Sequence, residues 1–439
     1  MRRLSLWLLA AALVVGALVA AGWWWLRGEG GKAELEAILG EALGRDVRIG
    51  ALEVDPRGSV TLRDVDVGNP SGFDGAPMLH ADAIDLDVAL SRLLDRELDG
   101  VVTASAVELR VVKQGGAHNL AGLVRPRRAD AGEPIDLHLD VAIHAARVLL
   151  EDHDRQQSLT LEGVDVRALL SNRDGERSAE AAVRIAEVGL HGLPVRDVAM
   201  TIRADGPDLA VDDLTARIGE RGTFAGSGRL FLAGARDWTV EGALEDVDLD
   251  ADVRRVVAVV YPPLSSSVDA TAATGRLGAT VSLAGAGLHW AEIRPTLVGK
   301  GALRLHDVVL PKGSLLLGLA ALVGRPDEAW SLARADVVFS LADEWVTLDR
   351  VTADGASASL PIAGRVSLSG ELELTADLMP LLPVFGGGVY REVARYATSL
   401  PVRIRGTVEA PEVAPPSVSE VGKSLLGGAL RRALGPTPE

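Results

Sequence analysis

The stretch Pro134–His144, "PIDLHLDVAIH", alternates without a break: Ile135, Leu137, Leu139, Val141 and Ile143 fall on one side, and Asp136, His138, Asp140, Ala142 and His144 on the other. A period of two is the mark of a strand with one dry and one wet face, whereas a helix returns its apolar residues every three or four positions. The same rhythm recurs in "VELRV" (107–111), "SLTLEGVDV" (158–166), "GSGRLFL" (226–232), "GALRLHDVVL" (301–310), "DVVFSL" (336–341), "WVTLDRV" (345–351), "RVSLSGELELTADL" (365–378) and "PVRIRGTVEA" (401–410). Gly, Asn, Asp and Pro separate these runs as turns. No regular alternation with long helices occurs, which argues against a doubly wound parallel sheet and for a mainly β, antiparallel, meandering one.

Alternation also accounts for the closely spaced aspartates. They recur at Asp64 and Asp66, at Asp82, Asp85 and Asp87, at Asp136 and Asp140, and at Asp246, Asp248, Asp250 and Asp252. Carboxylates two residues apart on a strand share its solvent side, and this reading is preferred to a metal or acid/base site. In "VTLRDVDV" the apolar phase slips between Leu62 and Val65, which predicts a β-bulge. The run from Asp246 fails as a calcium loop, because its sixth position is Ala251 instead of glycine and its twelfth is Val257 instead of glutamate.

Composition narrows the function classes. The 439 residues carry a formal charge of −16 and no basic stripe before the C-terminus, so no nucleic-acid partner is expected. Cysteine is absent, which removes disulfides, thiolate nucleophiles and Cys-ligated zinc. His138 and His144 share a strand face but stand roughly 20 Å apart at the strand rise, too far for one metal ion. "GASAS" (355–359) has Ser359 where a nucleophile elbow needs its second glycine, and the paired glycines of "GSGRLF", "GAGLHW" and "GKGALR" each miss the third of a dinucleotide fingerprint. No catalytic residue, metal or cofactor is assigned, and a carboxylate pair contributed by two strands stays open as a tethered carbohydrate-active site.

Residues Leu4 to Leu26, "LSLWLLAAALVVGALVAAGWWWL", hold no charge over a length that spans a hydrocarbon layer about 30 Å thick. A cleaved signal peptide is the rival reading. A retained anchor is preferred because the apolar run is long and ends in Trp23, Trp24 and Trp25 before Arg27. Leu4, Trp7, Leu13, Val15, Leu18, the three tryptophans and Leu26 are its membrane-facing candidates, with the amino end in the cytoplasm. Leu35, Ile38, Leu39 and Leu43 then share one helical face, an amphipathic juxtamembrane helix. At the other end, a proline cluster precedes a helix with Val418, Val421, Leu425 and Leu430 on one side and Lys423, Arg431 and Arg432 as cations. The expected organisation is an anchor at 1–30, a helix at 31–48, a β-domain at 49–412 and a Pro-rich exit with a C-terminal helix at 413–439.

The candidate helices "VALSRLL", "DVRRVVAVV", "GSLLLGLAALVG" and "YREVARYATS" are too few to cover the apolar face of so many strands. Either sheet covers sheet in a closed sandwich, or the face is an open trough that solvates acyl chains. The segment 43–94, "LGRDVRIGALEVDPRGSVTLRDVDVGNPSGFDGAPMLHADAIDLDVALSRLL", directly after an anchor, resembles the N-terminal part of the AsmA family of envelope proteins, relatives of TamB. "GKGALRLHDVVLPKGSLLLGLAALV" (299–323) and "LPVRIRGTVEAPEVAPP" (400–416) are similar to that family's C-terminal region.

The resemblance implies an elongated antiparallel β-sheet curled into a groove, as in bridge-like lipid transfer proteins. It further implies a single-pass inner-membrane protein with a periplasmic bulk that moves phospholipid in outer-membrane biogenesis. Ile135, Leu137, Leu139, Val141 and Ile143 are then candidates for the wall against acyl chains. A rod of about 20 to 25 strands spaced roughly 4.8 Å apart measures on the order of 100 to 120 Å, short for an envelope, so either an outer-membrane or periplasmic partner protein or a role in one membrane's lipid balance is expected. The alternative is a membrane-tethered scaffold or assembly factor for outer-membrane proteins that carries no lipid.

Overall fold

A computed structural model describes residues 31–54, 59–88, 97–123, 136–154, 156–173, 176–190, 193–249, 274–287, 290–310, 330–355, 361–379, 399–408 and 410–414. The anchor candidates Leu4 to Leu26, Ile135, Asp250, Asp252, Ser357, Ser359 and the C-terminal helix lie outside the described residues, as do nearly all of the internal helix candidates. Among the described residues no helix is long and apolar enough to cross a membrane.

Among the described residues, twenty strands are assigned to one sheet. Helix α1 (Gly31–Leu43) precedes β1 (Val47–Val54), β2 (Val60–Val67), β3 (Leu79–Val88), β4 (Glu97–Gln114), the short β5 (Ala117–His118), β6 (Asp136–Asp152), β7 (Gln157–Arg173), β8 (Glu176–Leu190) and β9 (Leu193–Asp205). Next come β10 (Asp208–Ile218), β11 (Gly222–Phe231), β12 (Asp237–Asp248) and β13 (Thr274–Ala286). A single-turn helix, α2 (Trp290–Ile293), leads to β14 (Val298–Leu310), β15 (Trp330–Ala342), β16 (Trp345–Gly355), β17 (Ile362–Ser367), β18 (Leu372–Asp377), β19 (Pro401–Gly406) and β20 (Pro411–Ala414). Two compact units divide the chain, one holding β1 to β9 and the other β12 to β20.

Nearly every pairing is between sequence neighbours and antiparallel, as the turn-separated runs predict. The exception corrects the expected meander: β4 and β6 run parallel over Glu97–Lys113 and Asp136–Asp152. The reversal after β4 is held by Asn119, which has no exposed surface. Its Nδ2 donates to the Arg110 carbonyl and to Asn69 Oδ1, its Oδ1 accepts from the Val112 N–H, and Arg45 Nη2 donates to its carbonyl. A buried amide is tolerated when its donors and acceptors are satisfied, as these are.

At the predicted slip Asp64 is left-handed (φ 50) and its pair with Gly50 is skipped, while the β1–β2 register is the same on both sides, Ile49–Val65 and Ala51–Arg63. In the first unit, left-handed residues recur at the same level of successive strands: Ala106 in β4, Ala145 in β6, Gly163 in β7 and Asp197 in β9. The pairing skips these positions without changing register, Ala81–Val107 being followed by Ala83–Ser105 and Ile185–Val198 by Glu187–Arg196. In the second unit the register itself shifts, around Asp246 between Leu244 and Val247 and around Gly275 between Thr274 and Arg276. Asp is among the few side chains that tolerate this backbone region. A bulge bends a strand, so a line of bulges creases each unit's sheet.

Helix α1 stops at Leu43, short of the expected residue 48, because Gly44 turns left-handed (φ 63) and the Arg45 N–H donates to the Gly40 carbonyl at 3.2 Å. Residues 47 and 48 already belong to β1. Leu35 and Leu39 are buried against β1 to β3, so the apolar side of this helix docks on the sheet.

Two substitutions test this backbone account in thermal melts of the full chain. Asp64→Val should destabilise by roughly 1–2 kcal/mol, since a branched side chain resists the left-handed region, while Asp64→Gly should stay near wild type. Gly364 sits at φ 133 where an added Cβ would overlap the Glu373 carbonyl oxygen, so Gly364→Ala should cost at least about 2 kcal/mol.

Candidate functional site

The strongest feature of the described residues is a surface. In the second unit, cross-strand partners line up in three rows. One runs Leu244, Ala279, Leu303, Val337, Val351, Ile362, Ala376 and Val402. The next runs Gly242, Val281, Gly301, Phe339, Leu348, Gly364, Leu374, Ile404 and Val413. The third runs Val240, Leu283, Gly299, Leu341, Val346, Val366 and Leu372. No position in them carries a polar side chain. The opposite face holds Arg276, Lys300, Arg304, Asp336, Arg350, Arg365, Glu373 and Arg405.

Rings lie over three glycines of this face. Phe224 approaches Gly242, Trp238 lies against Gly285, and Phe339 lies against Gly301 at 2.5 Å from where a Cβ would stand. Aromatic rings laid over strand glycines keep the face smooth and restore packing that a bare glycine lacks.

Burial varies along this face. The residues just after the bulges, Val247 and Val308, are at most 2% exposed, and Ala376, Val402 and Ile404 are wholly buried. Between them, Leu244, Val281, Leu283, Leu303, Leu305, Val337, Phe339 and Leu348 are only half-buried, and Val240 reaches 41% exposure.

The first unit has the same layout with a sealed end. Leu137 and Leu139, two of the wall candidates, lie in a cluster with Leu35, Leu39, Ile49, Leu62, Met78 and Leu98. Leu139 has no exposed surface and Leu137 only 6%. Val141 packs partly buried against that cluster, and Ile143 against a second one built on Ala146, Val164, Ile185 and Val198. Protein therefore covers the face at Leu137 and Leu139, while Val141 and Ile143 lie nearer the half-exposed part.

The wet face carries ion pairs. Arg110 binds Glu151 through both Nε and Nη2, Arg276 reaches Asp307 at 2.9 Å, and Arg365 stacks on Trp345 at 4.3 Å while binding Glu373. The hydrogen bond from Arg365 holds the Glu373 carboxyl below its usual range, as Arg334 does for Asp336. Among the described residues no group of His, Asp and Glu is placed to hold a metal ion. His138 and His144 are exposed on the wet face, and Asp246 sits at its bulge within reach of Arg276. Of the clustered aspartates, Asp66 and Asp82 converge on His80, whose Nδ1 lies 2.8 Å from Asp66 and Nε2 3.1 Å from Asp82.

The rows themselves escaped the reading of single strands, since a row is defined by register. One local signal was available: "LRDV", "VRDV", "LEDV" and "LHDV" each place two polar residues between apolar ones at a bulge. No protein-family model matches this chain, and no curated protein does.

Hydrogen bonding to Asp66, and secondarily to Asp82, raises the His80 pKa above the ordinary histidine value. A raised folded-state pKa contributes stability that is complete below the unfolded value near 6.5 and is lost as pH rises through the folded one. The His80 ring should therefore titrate above the ordinary value by NMR. The melting temperature of His80→Gln should fall less than wild type over that same rise in pH.

Proposed function

We propose that this chain is an AsmA-like envelope protein, anchored in the inner membrane through residues 1–30 with its β region in the periplasm. It binds phospholipid by its acyl chains and conducts it along the apolar face in outer-membrane biogenesis. The observation that supports this most is the half-exposed, wholly apolar set of rows across β12 to β17. A face with no donor, acceptor or charge has nothing to offer a headgroup and suits hydrocarbon, which saves about 0.8 kcal/mol for each methylene taken from water. Headgroups then stay at the wet margin, the process needs no catalytic residue, and chains slide because no row holds one position more strongly than the next. An outer-membrane or periplasmic partner would receive the lipid. The sealed cluster around Leu139 favours the second reading, a tethered scaffold without lipid, for that part of the sheet.

Leu303 and Val337 are cross-strand neighbours on the half-buried face and are better probes than the enclosed Leu139. Native mass spectrometry of the full chain in mild detergent should find co-purified phospholipid. The double variant Leu303→Asp/Val337→Asp should lose about tenfold or more of it, because a buried carboxylate opposes hydrocarbon strongly. Wild-type protein that is folded and lipid-free would favour the scaffold.

A further inference from the structure

An open sheet ends in edge strands whose outward main-chain groups can pair with another chain. Among the described residues β1 pairs with β2 and packs against α1. The contact is specific at two adjacent backbone groups: Glu36 Oε1 accepts from the Ile49 N–H at 2.7 Å, and Lys32 Nζ donates to the Gly50 carbonyl at 3.0 Å. Lys32, Leu35, Glu36 and Leu39 follow one another at helical spacing, so docking the two leucines carries the charged pair to the strand. One acceptor and one donor set against neighbouring backbone groups is what an added strand would supply.

We propose that α1 is an edge guard that competes with strand addition at β1 by a second copy of this chain. The sequence of β1 fits such a copy. In an antiparallel β1–β1 pair with a two-fold axis between Gly50 and Ala51, Arg48 stands opposite Glu53, Ile49 opposite Leu52 and Val47 opposite Val54. Opposite charges meet on the wet face and aliphatic residues meet on the dry one, even across the bulge, because Val47, Ile49, Leu52 and Val54 share the apolar side. A two-fold interface uses the same patch twice, and this patch is complementary to itself.

The test compares full-length proteins in mild detergent by light scattering over a range of concentrations. The charge swap Lys32→Glu/Glu36→Lys keeps Leu35 and Leu39 but reverses donor and acceptor. It should double the protein mass relative to wild type as concentration rises. Adding Arg48→Glu, which sets like charges opposite at both ends of the pair, should return the mass to that of wild type. Lys32→Ala/Glu36→Ala, which retains helix propensity, carries the test if the swap does not fold. A folded variant that keeps the wild-type mass at every concentration overturns the guard, and a dimer indifferent to Arg48→Glu overturns the β1–β1 register.

Discussion

A strand can bury one face only while its apolar residues keep their phase, and a slip of one residue would turn every later side chain to the wrong side. Here that constraint must hold across a bend. Each bulge uses up one extra residue, and the chain provides it: between Leu62 and Val65 stand Arg63 and Asp64, and between Leu305 and Val308 stand His306 and Asp307. Two polar residues in succession let the backbone turn and the apolar phase resume on the correct face. Aspartate takes the second place because its short polar side chain tolerates positive φ.

Phase held across the crease is what makes rows. Leu303 meets Ala279 and Val337, and each of these meets another apolar residue in turn, so the face continues from strand to strand without a polar interruption. The wet side contributes less to stability. Pairs such as Arg63–Glu53, with both side chains more than half exposed, are screened by water and add little. In the first unit the apolar face thus serves as core where α1 covers it, and in the second it is the candidate binding face where its side chains remain half-buried. Any substitution there acts on stability and on binding together.

Much of the fold could be read directly. Alternation at 134–144 predicted β6 and put Leu137 to Ile143 on its dry side, and the phase slip at Leu62–Val65 marked the place where Asp64 turns left-handed. The aspartates of 195–198, 244–247 and 305–308 were legible only as wet-face residues, because one strand shows a local slip but not that its neighbours slip at the same height. Helix α1 was read as lying outside a membrane. Its amphipathic pattern is indifferent to whether lipid or a sheet receives Leu35 and Leu39.

By itself the sequence determined which residues alternate, and therefore that this chain makes strands with one dry face, since side-chain direction in a strand is a local property of the backbone. Tertiary structure alone decided the rest. The parallel pairing of β4 with β6, and the contacts of Asn119 with Arg110, Val112 and Asn69, join segments that no local pattern connects. The fate of Leu139, enclosed, and of Leu303, half-exposed, was settled by what lies opposite each of them, and burial is a sum over neighbours distant in the chain.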